Sequence, residues 1–558
     1  MNRCFNPLST VYLFLCAASP LLSATPAISS VMNSATNIVQ SLPNSAIAPG
    51  SIFVVKGTGL GPLSLSVSQT PFQSTTLNGT SVAVTVGGTT VSCLMYYTSD
   101  GQIAALLASN TPTGSGTIKV TYNGQSSAAA PIGVAANNLG IFTVDSSGST
   151  GDSVAIVTYP DYSLVSSVKA PNCGGPNTTC GAANPGDTLI LWATGLGRIT
   201  GDDASGAGLG QNMPNVPLKL WIGGVQANVS YQGRSGCCIG EDQIVFTVPD
   251  DAPTGCAVPM VVEITTNITE VSNSAMMPIA RGSRSCALSD IAAGSIDASL
   301  LSGTVPFGEV EVDHLLNDSG SGFNDTASFN FLTFTIPAAV QPFAGTYLDH
   351  IPVGTCITQN SVRPGDPPAF TNLVPLDGGS RFTVTGPKGS QTVTAATGDN
   401  VSLSTAGTFL VPGDYTISGG GGKDVGAFSV NVNLPALPTL TSPANPGSLS
   451  VNRTKGLTIT WNPTGASSHV EIQLRSAAAG NSFAMISCKA PVSAGTFTIP
   501  SYLLFALPNG NGTNFNFQTG DGPAGPASIS LFSASGLASG IAQTFADGIS
   551  FGGFNIAN

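Results

Sequence analysis

Two glutamates separated by one residue, Glu309 and Glu311, form the carboxylate pair whose spacing could support catalysis. Alternate residues of a strand share a face, which sets the two roughly 6–7 Å apart. Glycosidases hold their two carboxyl groups about 5–10 Å apart. The same spacing is ordinary on a solvated strand. A nucleophile would also need a base, and the chain has 3 His: His314, His350 and His469. Two of them follow aspartates, as Asp313–His314 and Asp349–His350. Adjacent strand residues face opposite ways, so neither pair acts as a unit. No Gly-x-Ser-x-Gly elbow occurs, which leaves an α/β-hydrolase site without support. Oxygen-rich loops offer a different chemistry. Asp202 and Asp203 lie in a glycine-rich stretch, and Asp318 and Asp325 each follow an asparagine. Hard cations take such ligands, so calcium is the cofactor these loops would suit, although no EF-hand spacing appears. Beyond that, no metal, cofactor or catalytic residue is assigned.

Gly151–Asp152–Ser153 resembles the opening of a GDS-type esterase, whose second signature is a late Asp-x-x-His. The residues three before the histidines are Glu311, Tyr347 and Ala466, so that pattern fails and Ser153 reads as a turn residue. Trp192, Trp221 and Trp461 each sit inside an apolar strand, which points to core packing. Tyr96–Tyr97, between two strand signals, is the better candidate for an accessible aromatic pair.

Composition narrows the field further. Among 558 residues only 8% are charged while 42% are hydrophobic, with 67 Gly and 39 Pro. Average soluble chains are about 25% charged. Glycine and proline break helices and supply turns, which favours many short strands. The net charge of −12 leaves no basic stripe for phosphate, so nucleic acid is excluded as a partner, and anionic membrane surfaces are disfavoured. A nearly neutral, hydroxyl-rich surface suits extracellular polysaccharide or other surface proteins.

Arg3, the apolar run Val11–Ala18 and Leu22–Ser23–Ala24 read as a secretion signal over residues 1–24. The run is too short to span a bilayer, and no later segment has the length of a span. An exported chain is expected to oxidise its cysteines. Cys4 and Cys16 leave with the signal, and nine remain. Cys173 and Cys180 flank a short loop suited to a disulfide, and either Cys237 or Cys238 is placed to pair with Cys256. Nine is odd, so at least one thiol stays free or pairs between chains.

The elements that would position all this are duplicated. Pro49–Gly61 is echoed by Pro185–Gly197, and Val84–Gly88 by Leu220–Gly224, both at an offset of 136. Asp100–Ile103 matches Glu241–Ile244, and Pro112–Gly114 matches Pro253–Gly255, both at 141. The five extra residues include Cys237 and Cys238. In each copy a Pro-Gly turn leads to an apolar strand and a glycine turn. An alternating strand, a Gly-Gly hairpin and a Pro-x-Gly turn follow. That grammar predicts an all-β chain of immunoglobulin-like β-sandwich modules in tandem.

Pro26–Val31, Ala48–Ser51 and Gly57–Gly61 resemble the opening of IPT/TIG immunoglobulin-like domains. The tandem of residues 27–280 resembles a group of secreted acidobacterial-type uncharacterised proteins. Its marks here are Gly59–Leu60–Gly61, Gly195–Leu196–Gly197, Gly140–Ile141–Phe142 and Asp242–Gln243–Ile244. The resemblance implies a fold and no activity. The expected units are module 1 at 25–138, module 2 at 139–280, a β-sandwich at 281–436 and a C-terminal β-sandwich at 437–558. The functional expectation is a secreted or cell-surface protein that binds, adheres or scaffolds without catalysis. A polysaccharide-active enzyme with accessory modules and a structural spacer are the alternatives.

Overall fold

The computed structural model describes residues 25–558 except 70–73, 149–152, 202, 204–210, 289–302, 317–321, 361–370, 405, 445–448, 464–468, 481 and 520–524. The secretion signal expected at 1–24 lies outside the described residues. The chain is all-β, as its composition predicts, with antiparallel sheets stacked as sandwiches.

Module 1 packs a five-stranded sheet, in the order Ala27–Asn33, Ile52–Thr58, Gln102–Leu106, Leu94–Thr98, Ser66–Val67, against a sheet built on Thr80–Val86 and Gly114–Tyr122. Residues of Thr80–Val86 are buried at every second position, the period of a half-buried strand. Phe53, Val55 and Ile103 from one sheet meet Val82, Val84 and Ile118 from the other. Module 2 repeats the plan, with Thr188–Thr194 beside Asp242–Thr247 and Leu218–Ile222 beside Gly255–Thr265.

The duplication reaches the register. Val55 opposes Ile103 in module 1, and Leu191 opposes Ile244 in module 2. These are the same pair shifted by 136 and 141. The Gly-Gly hairpins also match: Gly87 and Gly88 have φ of 55° and 82°, Gly223 and Gly224 of 56° and 83°. Two successive positive φ values make the primed turn that suits strand twist, and only glycine adopts them freely.

Beyond module 2 strand pairing crosses the expected division at 436/437. Strand Ser539–Ala557 pairs through its first half, in parallel, with Gly303–Leu316. Through its second half it pairs with Gly510–Thr519. It therefore belongs to both sandwiches. Strand Thr355–Asn360, from the expected third unit, pairs with Phe483–Pro491 of the fourth. Both units share one 11-stranded sheet. Over it lie the sheet of Arg381–Gly386, Gly389–Thr394, Gly413–Gly419 and Phe428–Leu434 on one part, and that of Thr439–Ser442, Leu457–Asn462 and Thr496–Ile499 on the other. An exchanged strand satisfies its backbone groups as well as a local one does, so pairing by itself does not respect a linker.

The disulfides differ from expectation in part. Cys173–Cys180 forms as read. Cys237 and Cys238 bond to each other, and Cys256 bonds to Cys286 instead. Cys356–Cys488 closes across the exchanged strand, where the two residues are cross-strand partners. Cys93 is the odd thiol. It is fully buried in the module 1 core, which rules it out of a bridge between chains, and burial pushes it up to about 12.

The modules are packed together. Ile38 and Leu42 of module 1 and Val261 and Val271 of module 2 enter the hydrophobic core of the C-terminal sandwich. Trp221 stacks on Tyr502 of that sandwich, centroids 4.7 Å apart and planes 6° from parallel. Its indole Nε1 donates to Glu263 at 2.9 Å. Trp461 lies in a sandwich core, as predicted, whereas Trp192 and Trp221 sit half-buried on outer sheet faces. No helix among the described residues is long and apolar enough to cross a membrane.

Candidate binding cleft

Where modules 1 and 2 meet, the outer face of the five-stranded sheet turns toward the second module. One end of that face is closed. Ile239 packs on Leu94 and Leu106, with Tyr96 alongside. Gly240 makes the approach possible: a Cβ there would lie 2.4 Å from Leu106 Cδ1 and 2.8 Å from Ile52 Cγ1, and its φ is +77°. Thr194 Oγ1 donates to the Gly240 carbonyl at 2.7 Å and accepts from the Ile52 amide at 2.9 Å.

Beside the junction, module 2 holds a buried ion pair. Asp242, first residue of the Asp-Gln-Ile signature, accepts the Gly195 and Leu196 amides, each at 2.8 Å, and pairs with Arg234. The Arg234 guanidinium also donates to the Gly197 carbonyl at 2.8 Å. The two side chains are 2% and 0% exposed, so pairing is a condition of their burial. Burial raises the Asp242 carboxyl, and Arg234 and the two amides oppose that rise. On the far side Asp203 accepts the Ser109 amide at 2.6 Å and the Ser109 hydroxyl at 2.7 Å, which ties a module 2 loop to module 1.

Next to the closed end the face stays open as a cleft of about 430 Å³. Its floor is Ile52, Val54 and Ala104, alternate residues of two paired strands. Tyr96, Tyr97, Gln102 and Lys56 rise from module 1, and Phe142, Asp145 and Glu241 close it from module 2. Both tyrosines reach the cleft because the register shifts between Met95 and Tyr97. In a regular strand one of two neighbours would point into the core, and a bulge re-aims it. Met95 and Thr98 on either side are fully buried inward. Gln102 Nε2 donates to the Tyr97 hydroxyl, which fixes both side chains. Burial raises the Tyr97 phenol, and burial followed by the Asp242 charge raises Glu241.

Tyr96–Tyr97 was legible in the sequence as an aromatic pair. Asn37, Phe142, Asp145 and Glu241 were not, because they come from separate segments that only the module contact brings together. The remaining candidates lie elsewhere. Asp325 is fully buried and accepts the Phe409 and Leu410 amides at 2.7 and 2.8 Å, with His314 Nδ1 at 2.7 Å. Asp203, held by Ser109, and Asp325 thus each accept hydrogen bonds from protein donors through both oxygens. Asp202 and Asp318 lie outside the described residues, as do Gly151 and Asp152. Ser153 is buried beside Ser147. No cluster of three or more His, Cys, Asp or Glu able to hold a metal occurs among the described residues.

The Glu309–Glu311 pair shares a face of strand Gly303–Leu316, as its spacing predicts. Glu309 accepts Gln543 Nε2 at 2.7 Å and Glu311 accepts the Ser328 hydroxyl at 2.9 Å. Burial first and the Glu311 charge second raise Glu309 to about 7. Its unfolded value is near 4.5, so the unfolded chain loses this proton first. Stability is then expected to fall as pH rises from about 4.5 to 7. Glu309→Gln should flatten that slope, by up to about 3 kcal/mol between the ends. Denaturant unfolding of both proteins at pH 5 and 8 reads the difference; equal slopes would contradict it.

No protein-family profile matches the chain, and no curated protein matches it. Solved structures with some likeness are multidomain β proteins. One is the mixed-linkage glucan utilization locus protein SGBP-B of Bacteroides ovatus in complex with a mixed-linkage heptasaccharide. It is 12% identical with a TM-score of 0.19, over 42% of this chain and 44% of that one, so less than half of each protein is compared. Domains 5–6 of the S-layer protein SbsC are 13% identical with a TM-score of 0.14, over 46% of this chain and 100% of that one. Immunoglobulin domains 1–4 of Sidekick-1 are 10% identical with a TM-score of 0.12, over 95% and 99%. At these scores the likenesses carry no argument about function.

Proposed function

We propose that this chain is a secreted or surface-displayed protein that works by non-catalytic binding, adhesion or scaffolding, with extracellular polysaccharide or a surface protein as its partner. The observation that carries the reading is the cleft at the module junction. The two modules are joined by the shared apolar packing of Leu94, Leu106 and Ile239 and by the hydrogen bonds of Thr194 to Ile52 and of Asp203 to Ser109, and that contact holds an accessible, mixed aromatic and polar surface in one shape. Rigid presentation of such a surface lowers the ordering cost of binding. A spacer has no need of modules that share a core. On its quoted motifs the tandem of residues 27–280 also resembles the group of secreted uncharacterised tandem-module proteins.

A second reading, a polysaccharide-active enzyme, draws on Glu309. A buried carboxyl near 7 beside a second carboxylate has the character of a general acid. The mature chain applied to a polysaccharide and cell-surface array, with release of reducing sugar and self-association measured alongside, separates the two. Retention without release is the expected result. Release that disappears in Glu309→Gln would replace the binding reading with the enzyme, and silence in every arm, self-association included, would sink both.

A further inference from the structure

Resting on the binding reading above, we propose that the cleft between modules 1 and 2 is a site for a neutral glycan, with Tyr97 and Gln102 as its main contacts and Asp145 and Glu241 as hydroxyl acceptors. The volume of about 430 Å³ falls within the range of roughly 300–1,000 Å³ of small-ligand sites. The apolar floor and the rings of Tyr96, Tyr97 and Phe142 match the C–H faces of a pyranose. Gln102 can both donate and accept, and the two carboxylates accept from vicinal hydroxyls.

Charge selects among glycans. The cleft holds two carboxylates against Lys56, within a chain of net charge −12. Uronate or sulfated chains would meet like charge and desolvate it, which costs more than an uncharged chain does. The Tyr97–Gln102 hydrogen bond holds the ring and amide in place before the ligand arrives. Neither module alone has the site: Tyr97 and Gln102 come from the first, Asp145 and Glu241 from the second. Asp242 of the module 2 ion pair adjoins Glu241 in sequence, so that pair steadies one wall of the cleft.

The test is affinity electrophoresis of the full mature chain through gels holding soluble neutral polysaccharides, namely glucans, mannans, galactans and xylans, and one polyuronate as the charged arm. At least one neutral polymer should retard the wild type, and the polyuronate should not. Tyr97→Ala and Gln102→Ala, both at half-buried positions, should each weaken retardation about tenfold. Lys388→Ala, on an exposed turn elsewhere, should leave it unchanged. Melting temperatures confirm that the variants fold, and Tyr97→Phe gives a milder second probe of the same position. Retardation that persists in Tyr97→Ala, Gln102→Ala and Asp145→Ala overturns the assignment of the cleft while leaving the binding reading intact. Retardation by the polyuronate alone, or by no polymer, overturns the glycan inference. In that case cell-adhesion and self-association assays decide the broader reading separately.

Discussion

Replacing Asp242 by alanine is expected to destabilise module 2 by about 3–5 kcal/mol, the cost of leaving a buried charge without its partner. Arg234 is 2% exposed at its side chain, which packs close to Gly50 of module 1. The same carboxylate caps two amides of the Gly195–Leu196–Gly197 turn, whose glycines have φ of 114° and 119° at positions 195 and 197. Those amides would lose their acceptor inside the protein, a further cost of about 1–3 kcal/mol each where water cannot replace it. The double variant Arg234→Met with Asp242→Leu should recover part of the loss, since no charge is then stranded. It should not recover all, because the two amides remain without an acceptor. Denaturant unfolding of the wild type, Arg234→Met, Asp242→Leu and the double variant forms the cycle that isolates the pair. A loss below about 1 kcal/mol in Asp242→Ala would show that the pair is solvated and that the turn it caps is looser than described.

Removing the Cys356–Cys488 bridge is expected to be the other large effect. The two cysteines are 132 residues apart, and closing so long a loop restricts the unfolded chain strongly. Loss of a disulfide of this kind costs about 2–5 kcal/mol. The structural consequence should be local. Thr355–Asn360 is an edge strand borrowed by the C-terminal sandwich, held on one side by Phe483–Pro491. It also carries Thr358, whose amide donates to Ser274 Oγ of module 2 at 2.9 Å. Hydrogen exchange of Cys356→Ser with Cys488→Ser should therefore show faster exchange first in 355–360 and in the facing part of 483–491. Uniform acceleration across module 1 as well would mean that the bridge stabilises the whole chain and not the exchanged strand.

These effects divide along the line between local and long-range information. The strands and turns of modules 1 and 2 were legible because their code is local: alternation in Thr80–Val86, a Gly-Gly pair at 87–88 and again at 223–224, and a repeat that predicts the same partners in both copies. Trp461 and the Cys173–Cys180 loop were legible for the same reason. The partners of Cys256 and Cys356 were not, since Cys286 lies 30 residues on and Cys488 lies 132 residues on, with nothing in the spacing to select them. The hydrogen-bond partners of Asp203 and Asp325 were not legible either, because composition does not say which carboxylates will take backbone amides.

The sequence by itself determined the class of fold, the duplication, the low charge that turns phosphate and anionic surfaces away, and an aromatic pair at Tyr96–Tyr97. Each follows from side-chain periodicity, turn chemistry or net charge, which act over a few residues or over the whole chain at once. Only the tertiary structure decided that a bulge turns both tyrosines to one side, that Asp145 and Glu241 face them, and that two sandwiches share the strand Ser539–Ala557. Those outcomes depend on which surfaces meet. That choice is made by shape and burial among residues far apart in the chain, where no single segment carries the signal.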